Sequence, residues 1–428
     1  MSEARTLLEN GDIAGLIRHL RFNAETMELE EIGRLMEGAA ARMGFDDMRE
    51  AAAEMAARQE PQELYDFGYA CVERGVAFLA IPALRAAVGM LPDEPALRME
   101  LVAALEREDR HTEAVAALET HVDALDPWPA RYLLAYNALM AGDLGRAERE
   151  AALLPAPADD AWAPARDRLA RMVGRARAVR TVSPLDGRDL RGWHFVIGGG
   201  VLARISPYGF DDGMNGRFAF TTDDYGTCRR SLDRLRLILD AAGRRPGSVG
   251  LLPDRSSRVL GTAAARLFGL PAEPFDPGRP DALVVAYDLN EALSTEPGLD
   301  EAALEGLLER AEGQVLYEHA TCWTDPPPVS ADVSGLLHQV VKTPWDERFR
   351  MPPGGEPDTV PPDGRPVEEL ADEIVRAVPE QDDEAGAGAP PDPDEGLARL
   401  VAAVGGRWLT GPRDAARSPG PVPSSRFA

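Results

Sequence analysis

Two stretches of this chain gather side chains that do chemistry. Asp254-Arg255-Ser256-Ser257-Arg258 sets an acid, two hydroxyls and two guanidinium groups between a strand-like run and a helix-like one. Ligands of α/β sheets sit at such turns, beyond the carboxyl ends of the strands. Aspartate and serine at a helix start also cap its free amides, and arginine forks hold carboxylate or phosphate oxygens. Asp288 closes the next apolar run, Ala282–Tyr287, in the same way. The candidate ligand-binding set is therefore Asp254, Arg255, Ser256, Ser257, Arg258 and Asp288. Its ligand would be a nucleotide, a sugar phosphate or a carboxylate. Helix capping with solvated charge is the competing reading.

The second stretch is Glu318-His319-Ala320-Thr321-Cys322-Trp323-Thr324-Asp325. His319 and Cys322 have a spacing used by metal sites, but no second pair accompanies them. A hydrogen-bonded core histidine is expected there, and no metal. Beyond residue 180 the only other histidines are His194 and His338, and no Gly-x-Ser-x-Gly elbow is present. The chain has a single lysine, Lys342, so no Walker A loop exists and amine catalysis has one candidate. Catalytic residues and cofactor stay unassigned. Tyr208–Arg217 mixes glycine, acids, an amide and an arginine, which suits a structured turn or a cation or substrate loop. Gly198-Gly199-Gly200 lacks the following helix that a phosphate loop needs. With Trp193–Ile197 and Val201–Ile205 both strand-like, it reads as a hairpin turn.

Something must position these groups. The chain has 428 residues, 46 basic against 72 acidic, and a net charge of −26. That balance argues against a nucleic-acid surface or an anionic membrane surface as partner. No run is long and apolar enough to span a bilayer, and no signal segment opens the chain. Three separated cysteines, Cys71, Cys228 and Cys322, make no disulfide framework. A cytoplasmic location is expected.

Residues 1 to about 178 read as helical, with apolar residues recurring at three and four. With Pro61 as position 1, Leu64, Phe67, Gly68 and Cys71 fall at positions 4, 7, 8 and 11, and Ala80, Leu84, Ala87 and Pro92 at 20, 24, 27 and 32. Ala80, Ala114 and Ala147 recur 34 and 33 residues apart. This pattern resembles the tetratricopeptide repeat, a helical hairpin of about 34 residues. The resemblance implies an α-solenoid over 61–155, with 1–60 as divergent repeats or a cap and 156–183 as a terminal helix and linker. Trp162, Leu169 and Met172 are the expected seal, and Arg166, Arg168, Arg171, Arg175 and Arg177 the solvated face. It also implies a protein or peptide partner held on the repeat surface.

From 184 to 350 strand-like and helix-like runs alternate, which predicts a small α/β domain with a mainly parallel sheet. Residues 249–289 are similar to the core of the type I phosphoribosyltransferases: strand, loop, helix and Gly-Leu-Pro, then DALVVAYDL. Only Asp288 fills that family's acidic slot, and its threonine- and glycine-rich phosphate loop is missing. The similarity thus implies a fold and not the transfer reaction. Residues 351–394 hold ten prolines and thirteen acids against two arginines, −11 in charge. Residues 351–428 are accordingly expected to be a mostly disordered acidic tail. Val367–Val378 and Leu397–Leu409 are the exceptions, short apolar segments able to dock. The expected whole is multidomain, α then α/β, and acts as an interaction or scaffold protein. The alternative is an enzyme or small-ligand sensor.

Overall fold

The computed structural model describes residues 3–210, 212–295, 298–350, 358–379, 388–415 and 419–424. It divides into two compact units, Met1–Leu169 and Ala170–Ala428. No helix among the described residues is long and apolar enough to cross a membrane.

The first unit is helical: α1 Glu3–Glu9, α2 Ile13–Asn23, α3 Leu29–Met43, α4 Asp46–Ala57, α5 Pro61–Glu73, α6 Ala77–Met90, α7 Pro95–Arg107, α8 His111–Glu119, α9 Tyr132–Met140, α10 Leu144–Ala152 and α11 Ala163–Val179, which runs across the division. Proline opens α5 and α7, where its missing N–H costs nothing. Asp12 and Asp143 cap α2 and α10 by accepting from Gly15 N and Arg146 N, and Gly44 ends α3 in the left-handed region. From α3 to α10 each helix packs on the next. The repeat arithmetic appears directly in the packing. Ala80, Ala114 and Ala147 are fully buried at the helix crossings. A Cβ on Gly68 would meet Leu84 Cγ at 2.6 Å, so positions 8 and 24 of that unit interlock. Burying a leucine such as Leu84 stabilises by about 2–3 kcal/mol.

The second unit holds α12 Leu190–Gly198, β1 Val201–Leu202, β2 Phe218–Thr222, α13 Tyr225–Ala241, β3 Ser248–Leu251, α14 Arg255–Phe268, β4 Ala272–Pro274, β5 Ala282–Ala286, α15 Leu289–Ser294, α16 Glu301–Leu308, β6 Val315–Cys322, β7 Val333–Lys342, β8 Arg348–Arg350, β9 Asp358–Val360, α17 Val367–Arg376 and α18 Asp394–Val404. The main sheet runs β1-β7-β6-β5-β3-β4, with β2 pairing further along β7. All its pairs are parallel. A parallel sheet covered on both faces explains why every residue of β5 is buried. On one face α14 packs on β3 and β5; on the other, Leu289 of α15 and Leu307 of α16 join Val284 and Leu316 in one core.

Two local expectations change. Trp193–Ile197 is not a strand but lies in α12. A short apolar run fits either element. Here Asp189 caps the helix through Gly192 N at 2.9 Å, and Gly199, at φ 80°, closes it. The triple glycine is therefore a helix end, not a hairpin turn. Gly200 then admits β1 against β7, since a Cβ there would lie 2.3 Å from Ala331 O.

Within 351–428 the two apolar segments singled out above are helices that dock. Leu370 and Ile374 of α17 are buried, and that helix packs on α14; Leu397, Leu400, Val401 and Val404 of α18 are buried, and it packs on α13. Charge directs this docking. Arg234 of α13 reaches Asp392 at 2.5 Å and Asp394 at 3.1 Å, and Arg230 reaches Asp394 at 3.1 Å. Burial pushes Asp392 up, but Arg191 and Arg234 overrule it and hold the carboxyl down at about 2. Arg413 and Asp332, 1% and 3% exposed, pair at 2.7 Å. Residues 351–357, 380–387, 416–418 and 425–428 of the expected disordered stretch lie outside the described residues, as does Asp211 of the 208–217 loop.

Candidate functional site

The fold brings four of the six predicted ligand residues to the carboxyl ends of β3 and β5. Asp254 caps α14, its Oδ1 accepting from Ser257 N at 2.7 Å, while its buried Oδ2 has no partner among the described residues. Ser257 Oγ accepts from Tyr287 N at 2.9 Å. Ser256 Oγ donates to Glu291 at 2.8 Å and accepts from Trp345 Nε1 at 3.2 Å. Asp288 caps α15 through Asn290 N at 2.8 Å and lies 3.6 Å from His338 Nε2. The two arginines go elsewhere. Arg255 donates to the carbonyls of Asp363 and Arg365, at 2.6 and 3.0 Å. Arg258 lines a separate groove with Pro253, Phe275 and Leu299. The edge is consequently acidic. Burial, with Asp254, Asp288 and Asp346 nearby, pushes Glu291 up to about 7. Burial likewise raises Asp254, with Asp288 adding to it. An anionic ligand gains nothing from that environment.

His319 is a fully buried hydrogen-bonded histidine on β6. Its Nε2 lies 2.6 Å from Asp223 Oδ2, its Nδ1 3.3 Å from the Tyr317 hydroxyl, and Tyr287 donates to the same Asp223 oxygen at 2.5 Å. Burial opposes ionisation of Asp223, yet His319 and Tyr287 hold it below the usual range. Cys228 stands close enough for its sulfur to lie within 4.8 Å of the His319 and Asp223 ligand atoms. The Asp223–His319 bond occupies lone pairs that a metal would take, and burial pushes the Cys228 thiol well up, away from a thiolate. This is a buried network that ties β2, α13 and β6 together. Cys322 is not part of it. Three residues along a strand it faces the other way from His319, and its sulfur lies 3.8 Å from Gln339 O.

A cavity of about 110 Å³ lies among α12, β6, β7 and the loop before β7. Its polar lining comes from His194, Arg217, Thr321 and Ser334, and its apolar lining includes Ile197, Trp323 and Leu337. Thr321 Oγ1 is 2.6 Å from Glu318 Oε2 and 3.1 Å from Ser334 Oγ. Burial pushes Glu318 up to about 8, with Asp288 adding to it, so it is a neutral acid at pH 7. Burial, reinforced by Arg217, pulls His194 down to about 4, so its ring is neutral. Burial pulls Arg217 down to about 10, and it remains a cation. The four polar lining residues, His194, Arg217, Thr321 and Ser334, come from separate elements or loops. Arg217 ends the glycine-rich loop 208–217, and Thr321 lies in the stretch Glu318–Asp325, both singled out by the sequence. The parallel sheet assembles the rest.

The first unit carries a second surface. Along α5, Tyr65 and Tyr69 stack with centroids 6.4 Å apart. Glu100 on α7 is raised by burial and by Glu73. Further along, Tyr132 stacks on Trp128 at 5.4 Å and on Tyr136 at 6.1 Å, and Trp162 lies 5.9 Å from Tyr132. Arg168 sits 5.8 Å above the Tyr136 ring. Trp162 thus joins an aromatic cluster with Trp128 and Tyr132. The arginine face expected to be solvated is only partly so: Arg175 is buried, donating to the carbonyls of Ile197 and Thr410.

Comparison with family models, with curated proteins and with solved structures finds no match to this chain.

Proposed function

We propose that this protein is an interaction adaptor: its helical unit, of tetratricopeptide type, captures a protein or peptide partner, and its α/β unit carries a small-ligand pocket. The observation that supports the first half is the two groups of ring side chains, one on α5 and one around α9, with Tyr69 51% exposed. Aromatic rings offer large contact area at little entropic cost, and they dominate binding hot spots. The repeat type is supported by the interlocked Gly68 and Leu84 and by the buried crossing alanines. Tyr69→Ala combined with Tyr136→Ala in the full chain is the test, by crosslinking and mass spectrometry in the native host. Loss of a specific crosslinked partner is expected. An unchanged set of partners would contradict the proposal.

The second half is favoured by the cavity, in which a buried cation and a neutral imidazole share an apolar enclosure. Pockets of this composition orient a ligand with few polar groups. Thermal-shift screening of the full chain against neutral and anionic metabolite-sized compounds tests it. A reproducible rise in the melting temperature is expected from at least one class.

A further inference from the structure

The cavity holds a charge that its surroundings do not balance. Arg217 is 3% exposed. Its hydrogen-bond partners among the described residues are neutral carbonyls, Met214 O at 3.4 Å, Pro423 O at 3.1 Å and Val422 O at 3.3 Å, and its guanidinium also stands 5.6 Å from the centre of the Trp323 ring. No carboxylate pairs with it among the described residues. Burying a guanidinium without an anion is costly, so proteins normally pair it. Two of the three oxygens come from one short segment, Pro419–Ser424. They approach the two terminal nitrogens separately, Pro423 O at Nη1 and Val422 O at Nη2. Two oxygens on the two terminal nitrogens is the fork pattern of a bound carboxylate or phosphate. Asn215 Nδ2 adds a third donor to Pro423 O at 3.0 Å.

The rest of the segment is fitted to this place. Val422 is fully buried, and Pro419 and Ser424 line the cavity itself. Gly420 has φ 66° and passes so close to Ile197 that a Cβ would stand 2.4 Å from its Cδ1. The loop that presents the donors is held in unusual backbone, with Asn215 at φ 48° and Gly216 at φ 94°. Such strain is kept where surrounding structure fixes it.

We infer that this cavity is a receptor for a small anion, recognised by Arg217 and Asn215, and that Pro419–Ser424 is an intramolecular stand-in which the anion displaces. The inference rests on the small-ligand reading of the α/β unit. The ligand class is a compound with a carboxylate or phosphate group and few further heavy atoms, because the enclosed space is small. Segment and ligand compete for one set of donors, so the anion's apparent affinity is lowered by the fraction of molecules in which the segment is seated.

The test uses inorganic phosphate and succinate as probes, by titration calorimetry. The full chain is compared with a form ending at Ala415, and Arg217→Gln is placed in each. The shortened form is expected to bind one of the two probes about tenfold more tightly than the full chain, and Arg217→Gln to abolish binding in both. Which probe binds separates phosphate from carboxylate. Equal affinity in both forms overturns the stand-in role while leaving the pocket intact. Binding by neither form, when a neutral compound from the wider screen does bind, overturns the anion assignment and leaves the pocket reading standing. No binding by any compound removes the pocket reading itself. Should the shortened form not fold, carboxypeptidase digestion of the unmodified chain decides the matter. Saturating phosphate or succinate is expected to speed trimming past Ser424, and an unchanged or slower rate contradicts displacement.

Discussion

The two units solve the same packing problem with opposite use of sequence distance. In the helical unit the most extensive crossings are made by neighbours in the chain. Gly68 meets Leu84 sixteen residues on. In the α/β unit, Arg413 reaches back to Asp332 at 2.7 Å, and Arg234 is held by Asp392 and Asp394. Local packing leaves a period in the sequence, while long-range packing leaves isolated residues whose meaning appears only once the chain is folded.

The contrast can be broken by mutation. Arg413→Ala should have the largest effect, because it removes one of the two guanidinium partners of the buried Asp332 and leaves Arg310 alone to balance it. A loss of about 3–5 kcal/mol is expected by denaturant melt, confined to the α/β transition if the two units unfold separately. Leu84→Ala should cost about 2–4 kcal/mol and lower the helical transition alone. A result in which either change melts both units together would show that the division between them is not energetic.

A third prediction concerns pH. The Glu318 carboxyl is raised to about 8, well above the usual 4.5 of an unfolded chain. A raised acid contributes stability that is full below about pH 4.5 and lost as pH rises towards 8. Glu318→Gln keeps an acceptor for Leu289 N, so it should be more stable than the parent at pH 8 by roughly 1–3 kcal/mol, with the gain vanishing near pH 4.5. A constant difference across that range would show that Glu318 does not titrate in this way. Asp392 works in the opposite sense. Held down at about 2, it contributes stability above about pH 4 that is lost as pH falls towards 2. Asp392→Asn should therefore loosen α18 at neutral pH, seen as faster hydrogen exchange in 394–404, and add little below pH 2. The smallest effect is expected from Arg230→Gln. Its partner Asp394 is 43% exposed, so less than about 1 kcal/mol is at stake.

The same contrast explains what was legible. The repeat arithmetic from Pro61 located the buried crossing alanines, and alternation of apolar runs located β3, β5 and β6 in a parallel sheet. The apolar faces of Val367–Val378 and Leu397–Leu409 marked α17 and α18 despite their acidic, proline-rich setting. Composition could not show that Asp392 and Asp394 meet the arginines of α13, because partners about 160 residues apart share no period. The run Trp193–Ile197 failed for a different reason: five apolar residues fit a strand or a helix, and the decision lay in the Asp189 cap and Gly199. Of the candidate ligand loop, Asp254, Ser256, Ser257 and Asp288 assemble where strand order places them. Arg255 and Arg258 do not: Arg255 is taken up by the carbonyls of Asp363 and Arg365, and Arg258 lines the separate groove beside Phe275 and Leu299. Ser334 had no local signal, and nothing in the sequence joined His194 and Thr321 to Arg217, because they sit on different elements that only the fold brings together.

The most direct measurement of the ligand-carrying half of the proposal is a titration of the full chain with phosphate and with succinate, followed by hydrogen exchange over both units. The expected result is saturable binding that needs Arg217, with exchange changes at 194–217 and 419–424. Absence of binding by any small compound, together with unchanged exchange in those segments, would contradict a ligand-carrying α/β unit.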